Sequence, residues 1–321
     1  MLIKMWHVQY MSKKRSDLSS LESVGPKTLE KLQELGVASL EHLSEFTVEE
    51  LVEAGIEYDR AVKILQQAVQ KVGSAQPATL KELRQRQFKS FKTGVAEFDE
   101  KTPWRGIREA YIYEFAGEFG AGKSMLAHQL VVAALKEGFT VKAVYVDTEG
   151  TFNPQLVEAV ASRFGVELEK IEEAVVVYQP ANVVQLEQIV KYEVPRRVQE
   201  GCRLLVVDTI TALYRAEFIG REYLAARQQR IHYLIDWLRR HARTFGLTSI
   251  LTNQVMDVPE VFAAGVKRPV GGNVLAHAVN ARFMMMRPNK AKLEGYMWPL
   301  DVPGMAPDVR IEYRITDAGL E

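Results

Sequence analysis

The stretch Gly117-Glu118-Phe119-Gly120-Ala121-Gly122-Lys123-Ser124 satisfies G-x-x-x-x-G-K-[ST] at every constrained position. Just upstream, Ala110-Tyr111-Ile112-Tyr113-Glu114-Phe115 is aromatic and β-branched, as a buried strand should be. Just downstream, residues 125–135 read as a helix. Strand, glycine loop and helix form the context in which this motif cradles phosphates. Glycines let backbone N–H groups turn inward around phosphate oxygens, and the helix opening adds its positive dipole end. In that arrangement Lys123 reaches the β- and γ-phosphates and the Ser124 hydroxyl ligates Mg²⁺. Residues 117–124 are therefore the candidate nucleotide site, with ATP and Mg²⁺ as the implied cofactors.

Outward from the loop, short apolar runs alternate with helical ones from about Lys92 to the end of the chain. The runs fall at residues 141–147, 174–178, 204–208, 248–254, 281–286 and 309–315. This alternation predicts an α/β core over 92–321, a mostly parallel sheet covered on both faces, with ligands at the carboxyl ends of its strands. Three polar residues fall at such ends. Asp208 closes the run Leu204-Leu205-Val206-Val207 in a Walker B pattern, where it helps hold Mg²⁺ through water opposite Ser124. Glu149 lies two residues past the run ending at Asp147, in place to polarise an attacking water. Gln254 ends another run and can sense the γ-phosphate by hydrogen bonding.

Composition sets the outer bounds. The 321 residues are 47% hydrophobic and 26% charged, with Lys+Arg and Asp+Glu equal at 41 each. Any nucleic-acid site must then be local and not a property of overall charge. One cysteine, Cys202, excludes an internal disulfide framework, suits a reducing cytosol and reads as a packed small residue. No apolar run reaches the roughly 18 residues of a membrane span. The N-terminus lacks the pattern of a signal peptide, and Met11 is a second plausible start, so residues 1–16 are set apart as an extension.

Residues 17–72 repeat apolar positions at helical spacing: Leu21, Val24, Leu29, Leu32 and Leu35, then a stop at Gly36. Thr47 with Glu50 reads as a capping box. Val24-Gly25-Pro26, followed by Lys27 and Lys31, resembles a helix-hairpin-helix, although Ser23 stands where such hairpins carry another glycine. Acidic residues outnumber basic ones here, so both a protein-interaction domain and a duplex-binding domain stay open. Residues 73–91 read as a linker and basic arm carrying Lys81, Arg84, Arg86 and Lys89.

Five further segments carry a resemblance. They are Asp147-Thr148-Glu149-Gly150-Thr151-Phe152, Arg215-Ala216-Glu217-Phe218-Ile219-Gly220-Arg221, Ala226-Arg227-Gln228-Gln229, Thr252-Asn253-Gln254-Val255 and Pro269-Val270-Gly271-Gly272-Asn273-Val274-Leu275-Ala276-His277. With the phosphate loop, they make the chain similar over nearly its whole length to the RecA/RadA family of recombinases, in its archaeal RadA branch. The resemblance implies a RecA-like core and an ATPase that forms filaments on single-stranded DNA. It also implies homologous pairing and strand exchange with double-stranded DNA in DNA repair, in the cytoplasm at the nucleoid, alongside other recombination proteins. It places ATP between protomers of a ring or filament, with Lys123, Ser124, Glu149, Asp208 and Gln254 on one side and Asp301 and Pro303 capping from the neighbour. It makes 215–230 a first DNA loop, with Arg221, Arg227 and Arg230 as cations. It makes 256–273 a second, with Lys267 and Arg268 and an ending at Gly271, Gly272 and Asn273. His277 would sit between nucleotide and DNA.

Three departures accompany the resemblance. Leu156 stands where the family has an arginine that stacks on adenine, which removes a cation–π contact from base binding. Gln76 and Thr79 stand at the Phe and Ala of the Phe-x-x-Ala segment through which relatives dock on the next protomer. The cap segment 301–308 is about one residue longer than the family's. Two functions stay open: a recombinase, or a paralog acting as a DNA-binding mediator.

Overall fold

The computed structural model describes residues 18–73, 78–85, 87–257 and 267–321. The extension at 1–16, Gln76, the Asn273 side chain and the middle of the second candidate DNA loop lie outside the described residues. The chain forms two compact units, Met1–Gln87 and Phe88–Glu321.

In the first unit, the helices Pro26–Glu34, Leu40–Leu43, Val48–Glu53 and Tyr58–Val72 bury Leu21, Leu32, Leu43, Leu51 and Ile64 between them. Pro26 opens the first of these helices, where its missing N–H costs nothing. Thr47 and Glu50 close a capping box: Thr47 Oγ1 accepts the Glu50 N–H at 3.2 Å, and Glu50 Oε2 accepts the Thr47 N–H at 2.9 Å. A second box opens the short helix Leu80–Gln85. There Glu82 Oε2 accepts the Thr79 N–H at 2.6 Å and Thr79 Oγ1 accepts the Glu82 N–H at 3.3 Å.

The second unit is built on one large sheet. Its strands are β3 (Ile112–Gly117), β4 (Lys142–Asp147), β5 (Val175–Tyr178), β6 (Cys202–Asp208), β7 (Thr248–Asn253), β10 (Ala281–Met286), β11 (Glu294–Asp301), β12 (Ile311–Thr316) and β13 (Gly319–Leu320). Two small ribbons add β1 (Ser90–Phe91) with β2 (Ile107–Arg108), and β8 (Val255–Asp257) with β9 (Lys267–Pro269). The large sheet runs β13-β12-β11-β10-β3-β7-β6-β4-β5. From β10 to β5 every pairing is parallel, as the alternation of runs and helices requires. β3 and β7 are buried along their whole length, because helices cover both faces.

From β10 outward the sheet turns antiparallel. Strand β11 is absent from the series of apolar runs, and Pro299 inside it argues against a strand. The register explains why it is tolerated. β12 pairs with β11 only from Glu294 to Met297, so Pro299 lies where β11 has β10 alone as neighbour, beside an irregularity at Arg282/Phe283. The helix Lys123–Lys136 is buried nearly all round. Its Gln129 amide donates to the Thr93 and Leu320 carbonyls, and its carbonyl accepts the Leu320 N–H, which pins β13 across the helix. Cys202 opens β6 fully buried, its thiol pushed up to about 12 by desolvation.

Candidate nucleotide site and nucleic-acid interface

The phosphate loop joins the end of β3 to the helix Lys123–Lys136. Gly120 (φ 79°) and Gly122 (φ 93°) take left-handed conformations that other residues resist, which folds the loop back on itself. A Cβ at Gly117 would meet the Met285 carbonyl oxygen at 2.5 Å, so the strand end lies hard against β10. The Lys123 ammonium is buried and donates to the Gly117 and Glu118 carbonyls at 2.9 and 2.8 Å. Burial pushes its pKa down, against the opposing pull of Asp208, Glu149 and Glu118.

Because β3, β7, β6 and β4 are adjacent and parallel, their carboxyl ends bring the phosphate loop, Gln254, Asp208 and Glu149 to one edge of the sheet. Asp208 is buried, and both of its oxygens take side-chain donors: the Tyr145 hydroxyl at 2.6 Å on Oδ2 and the Thr252 hydroxyl on Oδ1. Glu149 is exposed, and its Oε1 accepts the Thr209 hydroxyl at 3.2 Å. The loop that carries it is anchored by Asp147. Burial alone would raise the Asp147 pKa, but the N–H of Phe152, the Gln179 amide and the N–H groups of Thr151 and Glu149 outweigh it and hold the group below its usual value. Gln254 is partly exposed just past β7, and its carbonyl accepts the Val270 N–H at 2.9 Å.

The donor set suits a nucleotide with a hard cation. A desolvated ammonium lies inside a glycine loop at a helix N-terminus, and a hydroxyl at Ser124 and a carboxylate at Asp208 are oxygen ligands of the kind Mg²⁺ takes few of from protein. Among the described residues no group of three or more His, Cys, Asp or Glu side chains could hold a metal ion by itself.

The candidate DNA loops leave this same edge. β8 and β9 form an antiparallel ribbon at the base of the second loop, directly after Gln254. Lys267 there pairs with Glu118 of the phosphate loop at 2.8 Å and with Asp257 at 3.6 Å, while Arg268 is exposed. Gly271 (φ 102°) and Gly272 (φ 59°) turn the chain into the helix Gly272–Ala276, which begins before Asn273. Arg221 is exposed ahead of the helix Leu224–Phe245, and Arg227 is partly exposed within it. Arg230 is committed to an ion pair with Glu187 at 2.5 Å in this conformation. His277 is exposed, its carbonyl held by Arg239 at 2.8 Å.

Asp301 and Pro303 do not join the phosphate loop. Asp301 pairs with Arg282, and Arg282 is level with Glu114, three residues before Gly117. They therefore lie about 10 Å back along the strands, toward the opposite edge of the sheet.

A model of the Rad51 family matches residues 84–321. The chain belongs to the Rad51 family. "DNA repair and recombination protein RadA" of Ignicoccus hospitalis is 35% identical over 327 residues, covering 98% of this chain and 98% of that protein. The protein of the same name from Aeropyrum pernix is 34% identical over 310 residues, covering 95% and 96%. Within this Rad51-family core, several residues around the site carry no motif and escape the sequence reading. Glu114 is wholly buried, pairs with Arg282 at 2.5 Å and accepts the Asn253 amide at 2.7 Å. The same Asn253 amide donates to the Val270 carbonyl at 2.6 Å, and Asn253 Oδ1 accepts the Thr211 hydroxyl at 2.8 Å. His128 and Tyr145 are buried as well, and Tyr145 donates to Asp208. The signal for all of them would have been a polar residue inside an apolar run, which sequence alone does not separate from a tolerated defect. No helix among the described residues is long and apolar enough to cross a membrane.

Proposed function

We propose that this Rad51-family chain is an ATP-hydrolysing recombinase that assembles on single-stranded DNA and pairs it with homologous duplex. The observation that carries the reading is the shared sheet edge. The phosphate loop, Asp208, Glu149 and Gln254 meet there, and the ribbon at the base of the second candidate DNA loop begins one residue after Gln254. A change in the γ-phosphate's surroundings at Gln254 has a short covalent path to a DNA-facing loop.

In this reading residues 117–122 wrap the phosphates, Lys123 neutralises their charge, and Ser124 and Asp208 hold Mg²⁺. Bound Mg²⁺ neutralises phosphate charge and fixes the geometry of the γ-phosphoryl group. Glu149, exposed at the mouth of the site and steadied by Thr209, orients and deprotonates water. Leu156, partly buried against the core, stands where the resemblance puts the contact with adenine. Asp301 and Pro303, remote from their own phosphate loop, serve a neighbouring protomer's nucleotide. Arg221, Arg227 and Arg268 contact the DNA backbone, and Lys267 and Arg230 join them once released from Glu118 and Glu187. Gly271, Gly272 and Asn273 close the second loop.

A second reading, an accessory paralog that loads another recombinase, draws on Leu156 and on Thr79, which caps a helix where relatives have a docking segment. Electron microscopy with ATP, Mg²⁺ and single-stranded DNA, beside a strand-exchange assay, separates the two. Regular filaments with exchange support the recombinase. DNA binding without either supports the accessory role, and ATP turnover indifferent to DNA removes both.

A further inference from the structure

The two residues assigned to hold the metal, Ser124 directly and Asp208 through water, come from different segments of the chain, yet one pair of buried side chains touches both. The His128 ring lies on the helix Lys123–Lys136, one turn after Ser124. Its Nε2 accepts the Asn153 N–H at 3.0 Å, so that nitrogen carries no proton and Nδ1 carries the ring's only one. Nδ1 faces the Ser124 carbonyl at 2.6 Å and the Tyr145 hydroxyl at 3.3 Å. The Tyr145 proton is then directed to Asp208 Oδ2, at 2.6 Å. Asn153 thus donates to His128, the one His128 proton goes chiefly to the Ser124 carbonyl with Tyr145 as a second, longer partner, and Tyr145 donates to Asp208. Rings lock the chain in place: His128 stacks on Phe152 with centroids 4.8 Å apart, and Tyr145 meets Phe152 edge-on at 4.9 Å. On the far side the Thr252 hydroxyl holds Oδ1.

We propose that Tyr145 and Thr252 are positioning residues that fix the rotation of the Asp208 carboxylate toward the metal, with His128 keeping the Tyr145 hydroxyl in line. The inference rests on the assignment of Asp208 as a metal-holding residue. A carboxylate gripped at both oxygens by donors from β4 and β7 is held in one rotation, so the lone pairs that remain keep fixed directions. Packing alone would not need it: a phenylalanine fills the place of Tyr145, and a valine that of Thr252, with little change in volume. Outer partners of metal ligands characteristically govern metal affinity through this kind of orientation.

The test uses the full chain and a fluorescent N-methylanthraniloyl ADP, titrated with Mg²⁺ from a metal-free start in EDTA. Tyr145→Phe is expected to raise the Mg²⁺ midpoint about tenfold while affinity in EDTA stays within about twofold of wild type. Thr252→Val, made independently in case one variant folds poorly, should show the same split. His128→Asn should move the midpoint in the same direction by a smaller factor. Melting curves in EDTA verify that each variant is folded. Midpoints that stay at the wild-type value in both hydroxyl variants overturn the proposal. So does an equal loss of affinity with and without Mg²⁺, which marks a purely structural role. If wild type itself shows no Mg²⁺ dependence and Lys123→Ala binds as wild type does, the nucleotide-site reading fails first.

Discussion

Replacing Arg282 by methionine tests the buried frame under the site. Glu114 has no exposed surface and the Arg282 side chain is 12% exposed, with 2.5 Å between them. Methionine preserves most of the stem but removes the charge, leaving the Glu114 carboxylate with Asn253 as its described side-chain partner. Stranding one member of a buried pair costs about 3–5 kcal/mol, most of it desolvation no longer offset by the partner. For a unit of this size each kcal/mol lowers Tm by about 2–4 °C, so a fall of roughly 6–20 °C is expected by calorimetry. Adding Glu114→Gln should restore a large part of that loss. The amide keeps an acceptor for Asn253, and no charge remains buried. The double variant would then be more stable than Arg282→Met alone, an interaction visible in a double-mutant cycle. A Tm for Arg282→Met within about 2 °C of wild type would refute the reasoning, as would strictly additive losses. Because the Asn253 amide also holds the Val270 carbonyl, hydrogen exchange at the base of the second loop should quicken in the single variant and recover in the double.

Three further outcomes follow from the same geometry. Lys123→Ala should abolish ATP hydrolysis, and undiminished turnover in a phosphate-release assay would reject the assigned site. Leu156→Arg should tighten ATP binding by about 0.5–1 kcal/mol, roughly two- to fivefold by fluorescence titration, if its guanidinium stacks on adenine. Asp147 has a folded pKa below its unfolded value, so its stabilising contribution is complete above about pH 4 and is lost as pH falls through the lower folded value. Asp147→Asn should therefore weaken the protein at neutral pH and flatten its acid melting curve below pH 4; parallel curves for the two proteins would contradict this.

Much of the core was legible because its signals are local. The phosphate loop, the strand ends at Asp208 and Asp147 and the parallel series β3, β4, β5, β6 and β7 each rest on residues adjacent in sequence. What escaped is pairwise. Nothing near Arg230 announces Glu187, and nothing near Lys267 announces Glu118, so both lysine and arginine read as free cations. β11 escaped because its pattern is that of a strand with one covered face interrupted by a proline, and only the short reach of β12 makes that proline acceptable. Tyr145 and Thr252 read as strand formers, since a hydroxyl that serves a neighbouring strand looks the same in sequence as one that serves none.

The capping box at Thr79 and Glu82 bears on the docking segment that the resemblance places at 76–79. Thr79 cannot both close a helix and lie extended against another protomer. Docking of the kind the resemblance implies would need Thr79 to leave this cap, at the loss of its two backbone hydrogen bonds with Glu82. The backbone and side-chain hydrogen bonds from Thr79 hold the Glu82 pKa below its usual value, so the box is strongest with that carboxyl ionised.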